Sequence, residues 1–300
     1  MTLYTLAENN RLKTWLYLSF FLILIILVGW LVSYTLNNVF VLWLAVFFSF
    51  FSTWLSYWYS DKIVLAMTRA KPIEKSDNPE LYRLVENLCL ASGLPLPKIF
   101  IIDEAQPNAF ATGRDPQHSV IAVTRGLLEK LERVELEGVI AHELAHIGNR
   151  DILLSSVVVV LVGFFAILAD LMFRLSWRFD FGRNRKGEGQ IKLLMIVFTI
   201  IAVILAWFLA QLLKFAISRK REFLADATGA LITRYPEGLA RALEKISQDE
   251  TPLRFANSAT AHLFIASPFR NKKNTNWFHN LFSTHPPIEE RIAALRGMKI

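Results

Sequence analysis

Cysteine is almost absent. The single Cys89 in 300 residues excludes an internal disulfide and, with no resolving partner, fits a domain facing a reducing compartment. Charge is missing over long blocks. Residues 14–36 carry none, and these 23 positions make about 34 Å of helix, enough to cross a bilayer core. That run is too long for a signal-peptide core, and no A-x-A-like cleavage site follows it. After the polar pair Asn37–Asn38, residues 39–59 form a second uncharged run that closes on Trp54, Tyr57, Trp58 and Tyr59, an interfacial aromatic belt. Also lacking is any basic, aromatic-interleaved recognition pattern, so the net charge of +7 does not signal nucleic acid. Positive charge beside hydrophobic spans reads instead as membrane orientation and contact with anionic lipid. Paired charges inside the spans are missing too, Asp170 being alone, which argues against a transporter. What is abundant is apolar: 53% hydrophobic residues, 23 Phe, 8 Trp and a mean hydropathy of +0.35, high for a soluble globule.

The chemistry concentrates in residues 135–151, ELEGVIAHELAHIGNRD. His142 and His146 are four apart, so on a helix both imidazoles converge on one point and offer half of a zinc site. Glu143 lies about 100° round the helix, close enough to handle a water at that metal without ligating it. A metzincin would place Gly and His three and six residues after His146; Asn149 and Ile152 stand there instead. A gluzincin takes its third ligand, a Glu, from a later helix with an Asp four residues on. Glu222 and Asp226 in RKREFLADATGA, residues 219–230, have that spacing, with Glu222 as the ligand and Asp226 orienting a ligand histidine through its free ring N–H. A closed structural zinc site would need a fourth Cys or His at zinc spacing, and none is evident.

HELAH with Asn149 and Asp151, SRKREFLAD (residues 218–226) and STHPPIEERI (residues 283–292) occur in that order. On these motifs the whole chain resembles the membrane-embedded gluzincin metallopeptidases, the family that also contains the CAAX prenyl endopeptidases. The resemblance implies one Zn²⁺ per chain and a gluzincin-like catalytic domain. It implies further that Asn108 and Ala109, on an edge strand beside the metal, bind the substrate backbone by strand addition. His285, in the HPP segment, is the candidate donor to the oxyanion of the tetrahedral intermediate. It also implies proteolytic quality control of misfolded or damaged membrane proteins in a stress response, in a bacterial inner membrane. The alternatives are a CAAX prenyl endopeptidase-like processing enzyme, whose members carry more spans in a longer chain, and a catalytically silent membrane scaffold.

The remaining residues predict a mostly α protein with a small β-sheet (α+β) and about four transmembrane helices. Residues 61–75 read as a basic connection, and Asn78 with Pro79 starts a helix with the stripe Leu81, Leu84, Val85 and Leu88 that Gly93 ends. Residues 99–102 and 120–123 are β-branched runs, read as strands. The HExxH helix leads into a third span, residues 152–173, followed by a loop with six Lys/Arg and a fourth span, residues 193–213. That hairpin fills most of the 76 positions between His146 and Glu222, and it returns the chain to the same membrane side, where both ligands can reach one zinc. The expected division is residues 1–60, an N-terminal transmembrane hairpin; 61–151, the first part of the catalytic domain; 152–217, a second hairpin; and 218–300, the second part. Ten positive charges on the catalytic side against six in the 174–192 loop favour a cytoplasmic catalytic domain. The partners implied are the lipid bilayer and membrane-protein or unfolded polypeptide substrates, with no nucleic acid and no set oligomeric state. His118, His262 and His279 read as structural or surface residues.

Overall fold

The computed structural model describes residues 3–161, 163, 219–251, 260–266 and 286–298. Most of the third and fourth expected spans, the loop joining them, His279 and His285 lie outside the described residues.

Two long helices, α1 (Leu3–Leu36) and α2 (Val39–Thr68), form a hairpin, each long and apolar enough to cross a membrane. Small residues make their seam. Ser49, Ser52, Ser56 and Ser60 of α2 are buried at helical spacing, and Ser49 Oγ donates across the seam to the Leu22 carbonyl at 3.0 Å. Trp43, Phe47, Phe50 and Trp54 point outward, where a bilayer rather than protein would cover them. α2 runs further than its uncharged part: Asp61 to Thr68 stay helical, with Val64 and Leu65 buried, and Arg69 ends the helix at φ 54°. The basic connection expected over 61–75 is therefore mostly helix, because apolar residues keep recurring at helical spacing after the first charges.

β1 (Lys71–Pro72) follows, then α3 (Pro79–Ser92), capped by Asn78 and closed by Gly93 at φ 69° as its residues predict. β2 (Lys98–Ile102), β3 (Ala109–Gly113) and β4 (Ser119–Thr124) complete a sheet in the order β1-β2-β4-β3. β2 and β4 pair in parallel, so β3 is left at the edge, antiparallel to β4. Beyond α4 (Arg125–Lys130) comes α5 (Arg133–Gly148), whose first turn is tied by a reciprocal Glu132–Glu135 capping box.

The HExxH helix does not run on into the next apolar stretch. Arg150 adopts φ 58°, and α6 (Asp151–Leu161) leaves at 84° to α5. Its Ile152, Leu154, Val157 and Val158 are buried among protein side chains. Among the described residues, two helices qualify as spans, or three if this bent pair counts as one. α7 (Arg219–Thr233), α8 (Pro236–Ser247) and α9 (Ile288–Arg296) complete the described elements.

Two apolar clusters fix the arrangement. One joins α3, α5, α8, α9 and one face of the sheet through Leu84, Ile121, Leu144, Leu243 and Leu295. The other ties Leu18 and Phe21 of α1 to Phe110 of β3, Leu154 of α6 and Phe264. The hairpin is thereby bonded to the sheet edge that borders the HExxH helix.

Candidate active site

α5 and α7 cross at a glycine. A Cβ on Gly229 would lie 2.9 Å from the His142 nitrogen, so only glycine permits this approach. Glu222 and Asp226 lie seven and three residues before Gly229, on the same face of α7, and so both point at the HExxH helix. The ExxxD spacing and the close crossing together carry Glu222 to the two histidines.

His142, His146 and Glu222 converge. Nε2 of His142 lies 3.2 Å from Nε2 of His146 and 3.9 Å from a Glu222 carboxylate oxygen, and His146 Nε2 is 3.6 Å from the other. Donors about 2.0–2.1 Å from a tetrahedral zinc stand roughly 3.3–3.5 Å apart, so this trio has the dimensions of a zinc site. The trio faces a cleft of about 30 Å³, room for an ion and a water.

The site is densely charged. Four carboxylates are buried: Glu143, Asp151, Glu222 and Asp226. Arg291, wholly buried on α9, grips Asp226 with two bonds of 2.8 and 2.6 Å, and Arg221 approaches Asp151 at 3.4 Å. Arg291 Nη1 also stands 3.5 Å from Glu222, so the buried acids of the site face two arginines as well as the two imidazoles. The protonation tendencies follow. Burial drives the His142 ring down to about 4, against the pull of Asp226, and so keeps it neutral. Burial opposes charge on His146 as well, but Asp151, Glu222 and Glu143 outweigh it and raise the ring to about 9.

Each histidine is held from behind by a carboxylate. Asp226 Oδ1 stands 2.9 Å from His142 Nδ1, and Asp151 Oδ2 stands 3.2 Å from His146 Nδ1. Such partners orient ligand imidazoles and fix their tautomer. Asp151 is steadied in turn by Asn10 of α1, whose amide donates to it at 2.7 Å and to the Asn149 carbonyl at 3.0 Å. Glu143 is buried beside the trio, and burial, reinforced by the charge of Glu222, lifts its carboxyl to about 7. The Ala111 backbone N–H on β3 bonds to it.

Asn108 and Ala109 lie at the expected edge, but in this conformation they hold the chain's own residues 265 and 266. The Ile265 amide donates to the Ala109 carbonyl at 2.9 Å, and Asn108 Nδ2 donates to the Ala266 carbonyl at 2.9 Å. Ala111, two residues along the same edge, lines the cleft. His262, read from sequence as structural or surface, is buried and lines the cleft beside Leu263; nothing in AHLFIA marks it. His118 is at the surface, 2.7 Å from Asp115. Cys89 is buried in the α3 stripe with its thiol pushed up to about 11, an inert core position. His285 lies outside the described residues. Sequence reasoning missed Asn10, Arg221 and Arg291. Arg291 does sit inside the STHPPIEERI motif, but an arginine on a charged amphipathic helix gives no sign of being buried.

Residues 75–299 match the family described as Peptidase family M48. A protein named Protease HtpX homolog from Dictyoglomus thermophilum is 47% identical over 298 residues, covering 99% of this chain and 95% of its own. One of the same name from Caldanaerobacter subterraneus subsp. tengcongensis is 43% identical over 304 residues, covering 100% and 99%. A third, from Pyrococcus furiosus, is 44% identical over 286 residues, covering 95% and 94%. A crystal structure of S. mikatae Ste24p aligns at 20% identity and a TM-score of 0.48, covering 97% of this chain and 67% of that one. A family match over three quarters of the chain, near-full-length relatives and the converging trio agree: this chain belongs to peptidase family M48, metallopeptidases that hydrolyse peptide bonds.

Proposed function

We propose that the protein is a membrane-embedded zinc endopeptidase that binds one Zn²⁺ through His142, His146 and Glu222. The observation that carries this reading is the trio itself, at tetrahedral spacing. A zinc ion held there supplies Lewis acidity, lowering the pKa of a water and polarising the scissile carbonyl. Glu143 acts as the base. Its carboxyl, lifted to about 7 by burial, takes a proton from that water and delivers it to the departing amine. Asp226 and Asp151 keep the two imidazoles turned toward the metal, and Arg291 holds Asp226 in place. His285 is the proposed donor to the oxyanion, on the strength of its HPP segment.

Substrate lies extended along β3. Pairing at Asn108 and Ala109 requires the incoming strand to take the Ala109 carbonyl from Ile265, while Ala111 is the edge position a substrate backbone meets first. Backbone recognition of this kind selects loose or unfolded segments, which supports quality control of damaged membrane proteins under stress. The N-terminal hairpin anchors the enzyme in a bacterial inner membrane, with the catalytic domain in the cytoplasm and spans two and four returning to its side. The chain then divides as residues 1–60, 61–151, 152–217 and 218–300.

Zinc analysis of detergent-purified protein tests the ligand set. Wild type should hold about one zinc per chain, and Glu222→Ala or His146→Ala should lose most of it. Full zinc in either variant would remove that residue from the site.

A further inference from the structure

Where α2 leaves its charge-free stretch, a cavity of about 530 Å³ opens between this helix and the ends of the sheet strands, and its lining shares no residue with the cleft beside His142 and His146. Trp54, Trp58 and Lys62 form its helical wall, four residues apart and so on one face. From Trp54 to Lys62 this wall rises about 12 Å along the helix, from bare aromatic ring to ammonium. That is the order in which a phospholipid presents its acyl ester and its phosphate. Facing it are Lys98, the first residue of β2, and Arg114, which directly follows β3.

The cations converge with little to neutralise them. The Arg114 guanidinium lies over the Trp58 ring, 4.7 Å from its centre, and the Lys62 ammonium lies 5.0 Å from the Tyr59 ring centre. Arg114 approaches Asp115 at 3.4 Å, but His118 holds that carboxylate more closely, at 2.7 Å. Asp61 is the other acid on the wall. Lys62 and Lys98 form no ion pair among the described residues, whereas Lys75, Lys130 and Lys245 each do. Trp54 and Trp58 stay 49% and 45% exposed, more bare aromatic surface than a water-filled anion site has use for.

We propose that this cavity binds the headgroup of an anionic phospholipid, its phosphate between Lys62, Lys98 and Arg114 and its glycerol-ester region along Trp54 and Trp58. The proposal goes beyond the peptidase reading and rests on the membrane placement of α1 and α2.

Full-length protein in detergent, titrated with short-chain phosphatidylglycerol, phosphatidylcholine or inorganic phosphate, decides it. Thermal shift and native mass spectrometry report retained lipid. Wild type should bind phosphatidylglycerol at least tenfold tighter than phosphatidylcholine. Lys62→Gln with Lys98→Gln should weaken phosphatidylglycerol about 30-fold, from about 1 kcal/mol for each lysine. Lys75→Gln, whose lysine pairs with Glu86 elsewhere, should change nothing. Both sites are exposed, so the double variant should melt with wild type in phosphatidylcholine. Equal affinity for the two lipids, or an unaltered double variant, overturns the site while leaving the membrane placement standing. An equal shift with inorganic phosphate alone overturns it in favour of a soluble anion. Protein that needs no detergent to stay dispersed would overturn the membrane placement itself.

Discussion

Arg291 is wholly buried, so its charge must be answered inside the protein, and Asp226 answers it with two bonds. Its other neighbours are Glu222 at 3.5 Å and His142 at 3.5 Å, which places it against two of the proposed ligands at once. Arg291→Met leaves Asp226 buried with His142 but without its cationic partner, a loss of about 3–5 kcal/mol, and the melting midpoint should fall accordingly. Adding Asp226→Asn should restore much of that stability but weaken zinc binding, since His142 would then lack its carboxylate. A double variant no more stable than the single one would contradict the pairing. His146 makes a second residue-scale prediction. Its ring titrates near 9 without metal, and zinc requires the neutral form, so binding at pH 7 must expel that proton. Zinc affinity should therefore rise about tenfold per pH unit from about 7 to 9, then level off. Competition with a chelator across that range measures it, and a flat profile would mean that His146 already binds as the neutral ring.

At the scale of elements, the close crossing of α5 and α7 decides whether Glu222 reaches the histidines. Gly229→Ala puts a methyl 2.9 Å from the His142 nitrogen, against backbone that cannot swing aside. Overpacking of about 1–3 kcal/mol should separate the helices and weaken zinc binding, although alanine is the better helix former. Unchanged zinc affinity in this variant would show that the crossing has slack. Elements also mark where the sequence could be read and where it could not. HExxH and ExxxD are legible because their geometry is local, set by 3.6 residues per turn. The capped α3 is legible for the same reason. The 84° break after α5 is not, because Arg150 at positive φ has no glycine to announce it. Nor does the pattern show that residues 265–266 occupy the β3 edge, since that depends on packing against distant chain. Arg291 is 65 positions from Asp226, and no periodicity links the two.

Across the whole molecule, the membrane hairpin and the catalytic core act on one site. α1 reaches from the hairpin to Asp151 through Asn10, and Asp151 holds His146, so the anchoring helix helps to set one of the proposed zinc ligands. Asn10→Ala should lower zinc affinity about 10–100-fold while the protein still inserts and folds, as loss of a supporting hydrogen bond behind a ligand does elsewhere. Affinity equal to wild type would confine Asn10 to packing. The central claim is that Glu143 is the base of a zinc peptidase, and one paired measurement tests it most directly: metal content and casein cleavage of wild type beside Glu143→Gln, both purified in detergent. The account predicts about one zinc per chain in both proteins and cleavage by wild type alone. Cleavage by Glu143→Gln at the wild-type rate would contradict it.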